Sequence, residues 1–293
     1  MPLAEQIMTN PHADRVKKLA DQRTKRGQGR SGRFLIEGPQ AVREAVAMEP
    51  QKVTDIYYVA DQCHDHTIID MALQKGMYVH ETSAAVMEQI SPDAQGIITS
   101  AAITSIEHHY DQLTDLNDLL HNPQSIGLLA ACWQARDPGN EGTIIRTADA
   151  AGCEAVILIG DCVSPFNPKV VRSTAGSLFH IPVYQVSEEE FFTWIITYHL
   201  TLCAADIHGT PENPPRTLTD LLFSDEQTLL TKTENPLIIL FGNEARGLPQ
   251  DLVRRTQQSI IIPLYGQAES LNLASSVAIL LYSISMARHQ RHL

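Results

Sequence analysis

Three stretches hold residues whose types and spacing could do chemistry: 136-RDPGNEGTIIRTADAAG-152, 240-LFGNEARGLPQDL-252 and 260-IIIPLYGQAESLNLASS-276. Each follows an apolar strand, passes a glycine-bearing loop (137–142, 242–248 and 263–270) and restarts as a helix. Glycine lets backbone approach a ligand closely or adopt positive φ. These loops are not a phosphate cradle, because neither GxxxxGK[ST] nor GxGxxG after a strand occurs. What they offer is backbone N–H and C=O at close quarters, which suits an adenine or a similar polar heterocycle. Among the side chains, Asp137 or Asn140 can cap the first helix, with Gly152 as its left-handed end. Arg146 in that helix either pairs with Asp149 three residues on or faces a bound anion. Glu244 can hold its loop through N–H groups or an arginine. Ser270 can cap the last helix, with Asn272 in its first turn.

Such loops need a scaffold, and the chain supplies alternating elements. Up to about residue 106 the pattern predicts strands at 34–36, 53–59, 77–79 and 96–103, with helices at 39–48, 67–75 and 83–90. That alternation implies an α/β sandwich. The polar stretch 107–124, which ends in Asn-Pro-Gln, reads as a linker. A second α/β pattern then begins at 126-IGLLAACW-133. Its strands at 126–132, 155–159, 181–186 and 202–205, and the two that feed the quoted loops, show little alternation. Strands of that kind belong to a parallel sheet covered on both faces, and ligands of such sheets sit beyond the carboxyl ends of the strands. The expected domains are therefore 1–106 and 125–293.

Charge and composition narrow the class. The net charge of −12 argues against indiscriminate nucleic-acid binding. The segment 15–33 nevertheless holds eight of the 22 Lys and Arg residues and one of the 34 acids. A basic segment on an acidic body suits local phosphate contact, and the glycines of 26-RGQGRSGR-33 predict a flexible loop able to close on a polyanion; a solvated arm is the alternative. Five scattered cysteines, none in a CxxC pair, favour reduced thiols over a disulfide framework or zinc site. The stretch 63-CHDH-66 is more simply acid and histidine beside a loop than a metal site, and no metal is expected. No apolar run approaches a membrane span, and the N-terminus lacks a signal peptide's apolar stretch, so a soluble, cytoplasmic protein is expected.

The three stretches together, read as N-E-G-x-x-x-R-x-A-x-x-x-G (Asn140 to Gly152), F-G-N-E-x-x-G-L (Phe241 to Leu248) and I-P-x-x-G-x-x-E-S-L-N-L-A-S-S (Ile262 to Ser276), resemble the SpoU/TrmH family. Its members are S-adenosylmethionine-dependent RNA 2′-O-ribose methyltransferases of the SPOUT class. The stretch 172-RSTAGSLFHIPV-183 matches a further family motif. The segment 34-FLIEGPQAVREAV-46 is similar to the family's L30e-like substrate-binding domain.

The resemblance implies a C-terminal parallel-sheet domain tied in a deep trefoil knot, a device rare among proteins, and a smaller N-terminal L30e-like α/β domain. It implies S-adenosylmethionine held through backbone at Gly242, Ile262 and Leu271, with Leu240, Phe241, Leu264 and Gly266 nearby. It places Arg146, Asn140, Glu244, Ser270 and Asn272 at the reaction centre. Arg146 there either takes the hydroxyl proton or, since a guanidinium stays protonated, grips a phosphate and stabilises the alkoxide. Asn140 would cap its helix and orient Arg146 or the substrate. Arg172 corresponds to a position associated with substrate phosphate, a solvated arginine being the alternative; Arg26, Arg30 and Arg33 would contact RNA. A homodimer is implied, with the last helix, 271–288, at its interface. The separate N-terminal domain favours rRNA over tRNA as substrate. A catalytically silent RNA-binding or ribosome-assembly protein is the other reading.

Overall fold

The computed structural model describes residues 4, 6–103, 113–116, 120, 125–224, 228–232 and 236–292. The expected linker at 107–124 lies largely outside them. By contacts the chain forms two compact units: Met1–His108 with Ser164–His180, and His109–Val163 with Ile181–Leu293.

The first unit contains a four-stranded sheet in the order β1 (Arg33–Glu37), β4 (Ile97–Ala102), β2 (Ile56–Tyr58), β3 (Val79–Glu81). β4 runs antiparallel to both neighbours, while β2 and β3 are parallel. The helices α3 (Pro39–Met48), α4 (Thr67–Gln74) and α5 (Ala84–Ile90) alternate with the strands. Ser83, expected as the first helical residue of α5, is its N-cap and accepts from the Val86 N–H.

The basic segment corrects the sequence reading. It forms two helices, α1 (Asp14–Asp21) and α2 (Lys25–Ser31), rather than a flexible loop. Two features hold it. Val16 and Leu19, one turn apart on α1, are buried in the core with Leu35, Val86, Ile90 and Ile98. Thr24 caps α2 by accepting from Gly27 N–H at 3.0 Å, and Gly32 closes the helix in the left-handed conformation at φ 62°. Gly27 is glycine for want of room: a Cβ there would meet the Asp21 carbonyl. Gly27 and Gly32 thus answer a close approach and a left-handed turn, not a need for flexibility.

The second unit is built on a seven-stranded sheet in the order β7 (Val183–Val186), β6 (Ala155–Ile159), β5 (Leu128–Trp133), β10 (Leu237–Phe241), β8 (Thr201–Ala205), β11 (Gln258–Ile261), β9 (Arg216–Thr217). Every strand pair in it is parallel. β5, β6 and β10 are buried along their whole length, as a sheet covered on both faces requires. One side packs Phe191, Trp194 and Ile195 of α8 (Glu188–Thr197) against Leu129, Ile157 and Ile238. The longest helix, α11 (Leu273–His292), packs against α6 (Pro138–Ala150) and β5. Its Arg288 is fully buried and donates to the carbonyls of Leu230 at 2.9 Å, Ile126 and Gly127. That arginine satisfies chain-turn carbonyls that would otherwise be buried without donors. All five cysteines are free thiols. Among the described residues, no helix is long and apolar enough to cross a membrane.

Candidate functional site

β8, β10 and β11 are neighbours, and their carboxyl ends at Ala205, Phe241 and Ile261 open onto one cavity of about 340 Å³ in the second unit. Phe241, Gly242, Glu244, Ile262, Leu264, Ser270 and Leu271 line it. Most of the expected cofactor residues thus meet. Leu240 does not, because its side chain is fully buried in the core, and Gly266 is exposed outside the lining.

The 242–248 loop closes on itself: Asn243 N–H donates to Gly247 O at 3.2 Å, and Gly247 N–H returns to Asn243 O at 2.9 Å. Gly247 takes φ 66°, so the left-handed residue of this loop is Gly247. Gly242 is glycine for another reason. A Cβ there would lie 2.4 Å from the Gly247 carbonyl carbon and 2.6 Å from Leu248 N. Asn243 pins the loop from below, with its amide donating to Gln134 O at 2.7 Å.

Three of the expected reaction-centre residues form a chain of side-chain hydrogen bonds. Asn140 Nδ2 donates to Glu244 Oε1 at 3.3 Å, and Asn272 Nδ2 donates to Asn140 Oδ1 at 3.1 Å. Glu244 also accepts, at 3.5 Å, from the Asp137 N–H. The capping roles differ from expectation. Residues 138–142 are already the first turn of α6, not loop, and Asp137 is its cap, accepting from Asn140 N–H at 2.8 Å. Asn140 is thereby released to reach across to Glu244. Asn272, not Ser270, caps α11, accepting from Ala274 N–H at 2.9 Å. Arg146 is exposed on α6 and makes no ion pair or side-chain hydrogen bond among the described residues. It does not line the cavity.

Two residues of the site went unread in the sequence. Asp206 follows β8 at the cavity and accepts from His208 N–H at 2.9 Å and Gly209 N–H at 2.7 Å. An acid directly after a buried strand was the available signal. Glu141 is fully buried, and neither carboxylate oxygen has a hydrogen-bond partner. Burial, then the charge of Glu244, pushes its pKa up to about 9. Glu141, Ile144, Ile145 and Ala148 form the buried face of α6, so helical periodicity alone would have placed this acid inside.

In the first unit the expected RNA-contacting cations separate. Lys25 and Arg26 are exposed. Arg30 Nη2 grips both Asp21 oxygens at 2.7 and 2.6 Å. Arg33 donates to Ser100 Oγ at 3.0 Å and Ser100 O at 2.9 Å. Arg172 is not solvated. It pairs with the fully buried Glu37 and, at 3.2 Å, with Asp93, and burial lowers its pKa.

Comparisons with known proteins fit this geometry. A model described as the SpoU rRNA Methylase family matches residues 127–282, and one described as an MRM3-like substrate binding domain matches residues 13–98. The 23S rRNA (guanosine(2553)-2′-O)-methyltransferase RlmP of Bacillus subtilis is 31% identical, over 92% of this chain and 95% of its own. The 23S rRNA (guanosine-2′-O-)-methyltransferase RlmB of Acinetobacter baylyi is 26% identical, over 86% and 96%. The crystal structure of an AdoMet-bound rRNA methyltransferase from Sinorhizobium meliloti aligns with a TM-score of 0.76 at 28% identity, covering 100% of this chain and 99% of that one.

Proposed function

The chain belongs to the SpoU rRNA methylase family, and we propose that it transfers a methyl group from S-adenosylmethionine to a ribose 2′-hydroxyl of ribosomal RNA. The observation that carries this is the Glu244–Asn140–Asn272 hydrogen-bond chain beside the strand-end cavity. It ties three separate segments into one arrangement where a donor pocket meets a polar edge. The similarity to rRNA methyltransferases over nearly the whole chain supports the substrate class.

The cavity suits the donor. Its volume of about 340 Å³ falls within the roughly 300–1,000 Å³ of small-molecule sites. Leu248, Leu264 and Leu280 give it apolar walls, and Gly242, Ile262 and Leu271, which also line it, would hold the donor through backbone. Bound there, S-adenosylmethionine would supply an electrophilic methyl group on a sulfonium. Asp206 presents a carboxylate held by two N–H groups, which suits a cationic part of the donor. The Arg146 guanidinium holds a neighbouring RNA phosphate and stabilises the developing alkoxide. Asn140 and Asn272 hold α6 and the 263–272 loop in register, so that Arg146 and the donor pocket keep a fixed relation; much of the rate of a two-reactant step comes from such alignment.

The reading includes the family's trefoil knot in 125–293, an RNA-binding role for 1–106, and a cytoplasmic location. It includes a homodimer through the outer face of α11, where Ile279, Tyr282 and Met286 are exposed at helical spacing. The test is incubation of the purified protein with S-adenosylmethionine and unmodified rRNA or tRNA, followed by mapping of 2′-O-methyl nucleotides. Methylation of one rRNA nucleotide is expected. Donor binding without transfer to either RNA would replace the enzyme with an RNA-binding protein, and transfer to tRNA alone would replace the substrate.

A further inference from the structure

The cations of the basic segment divide by what holds them. Arg15 is fastened to Asp55 and to the Tyr57 hydroxyl, Arg23 to Asp93 at 3.7 Å, and Arg33 to Ser100. These tie α1, the turn after it and β1 to the sheet. Lys17, Lys18 and Arg30 instead meet, with Gln22, Ser31 and Arg33, around an open groove of about 660 Å³ within the first unit. Asp21 is the one acid of that lining. Both its oxygens are engaged by Arg30, which fixes the guanidinium and cancels a single charge. Lys17 has only a loose, exposed approach to Asp14 at 3.8 Å. Lys18 has no partner among the described residues, and Lys25 and Arg26 stand outside the groove, so the RNA contact expected of Arg26 falls outside this reading.

We propose that this groove receives the sugar–phosphate backbone of the RNA substrate, with Lys17 and Lys18 making the direct phosphate contacts and Arg30 shaping the floor. The proposal rests on the methyltransferase reading and adds where the RNA enters. Four cations facing one acid, on a chain of net charge −12, make a local attractive spot on a repelling body. Such a spot orients a polyanion more than it raises affinity everywhere. An acidic protein is the competing occupant. Protein partners bind through buried apolar anchors, and no apolar side chain lines the groove. Phosphate contact needs none.

The test compares the full-length Lys17→Gln/Lys18→Gln variant with wild type and with Lys25→Gln/Arg26→Gln. The affinity for in vitro transcribed rRNA is measured over a range of salt concentrations. All four residues are exposed, and thermal melts check that the fold is kept. Loss of two phosphate contacts should flatten the log–log salt slope by about 1.4–1.8 units, at about 0.7 per single-strand contact and about 0.9 on duplex. Donor affinity should not move, and the Lys25/Arg26 variant should keep the wild-type slope. An unaltered slope in the Lys17/Lys18 variant overturns the groove, as does an equal change in both variants, which would mean a diffuse field. Wild-type binding of poly-glutamate that displaces the RNA and depends on Lys17 and Lys18 would assign the groove to an acidic protein. Methyl transfer by the wild-type protein is followed in parallel; its absence sinks the enzymatic reading, whereas the slope alone decides the groove.

Discussion

Asn140 on the first turn of α6 and Glu244 in the loop after β10 are 104 residues apart and share a hydrogen bond of 3.3 Å. Asn140 is available for it because Asp137 takes over the cap. The same asparagine accepts from Asn272, so one side chain joins all three motifs. Asn140→Ala with Glu244→Ala, taken through a double-mutant cycle, should give a coupling of about 0.5–1.5 kcal/mol in stability, the net range of one hydrogen bond. Denaturant unfolding of the four proteins measures it. A coupling of zero would mean that the loop holds its place without Asn140.

Arg146→Ala should lower methyl transfer by roughly 10²–10³-fold, the cost of removing one preorganised charge stabiliser. Because Arg146 is exposed and has no ion pair among the described residues, the melting temperature and donor affinity should stay close to wild type. Single-turnover transfer rates and donor titration check both. Near-normal turnover would remove Arg146 from the reaction.

Glu141 makes stability depend on pH. Its folded pKa of about 9 lies above the ordinary 4.5, so the folded state keeps a proton that the unfolded chain releases. Stability therefore falls as pH rises from about 4.5 to about 9 and is flat beyond, as far as this group is concerned. Glu141→Gln preserves shape and neutrality and should abolish that component, leaving the variant more stable than wild type at pH 8. Urea midpoints for both proteins at pH 5, 7 and 9 provide the measurement. Parallel pH curves would mean that Glu141 is ionised in the folded protein.

The parallel sheet was legible because its strands are buried on both faces and read as unbroken apolar runs such as 237-LIILF-241. The loops were legible from their glycines. Which residue does which job inside them was not. Asp137, Asn140, Ser270 and Asn272 are all good cap residues by type, and only the path of the chain decides that Asp137 and Asn272 cap. Arg172 and Arg30 look alike in sequence, yet each is claimed by an acid: Glu37, far along the chain, in one case and Asp21, nine residues back, in the other. The helices at 14–21 and 25–31 were hidden for a related reason. Glycine lowers helix propensity, and the burial of Val16 and Leu19 that orders the segment is tertiary.

Gly242→Val should abolish donor binding and also destabilise the protein, because the missing side chain would strike the chain itself. A Cβ at position 242 lies 2.4 Å from the Gly247 carbonyl carbon and 2.6 Å from Leu248 N. Backbone cannot yield as a flexible side chain does, so the 243–247 closure must open. Overpacking of this kind costs about 1–3 kcal/mol, which lowers the melting temperature and deforms the edge of the cavity at once. Gly247→Ala is the informative partner. Its φ of 66° is unfavourable for alanine, but its Cβ would meet nothing within 4 Å. That variant should lose about 1–3 kcal/mol from backbone strain yet keep donor affinity, because the loop retains its course. Calorimetric titration with S-adenosylmethionine and thermal unfolding of both variants separate close approach from strain. Wild-type affinity in Gly242→Val would place the donor away from this loop, and loss of binding in both variants would mean that the cavity tolerates no change in the loop at all.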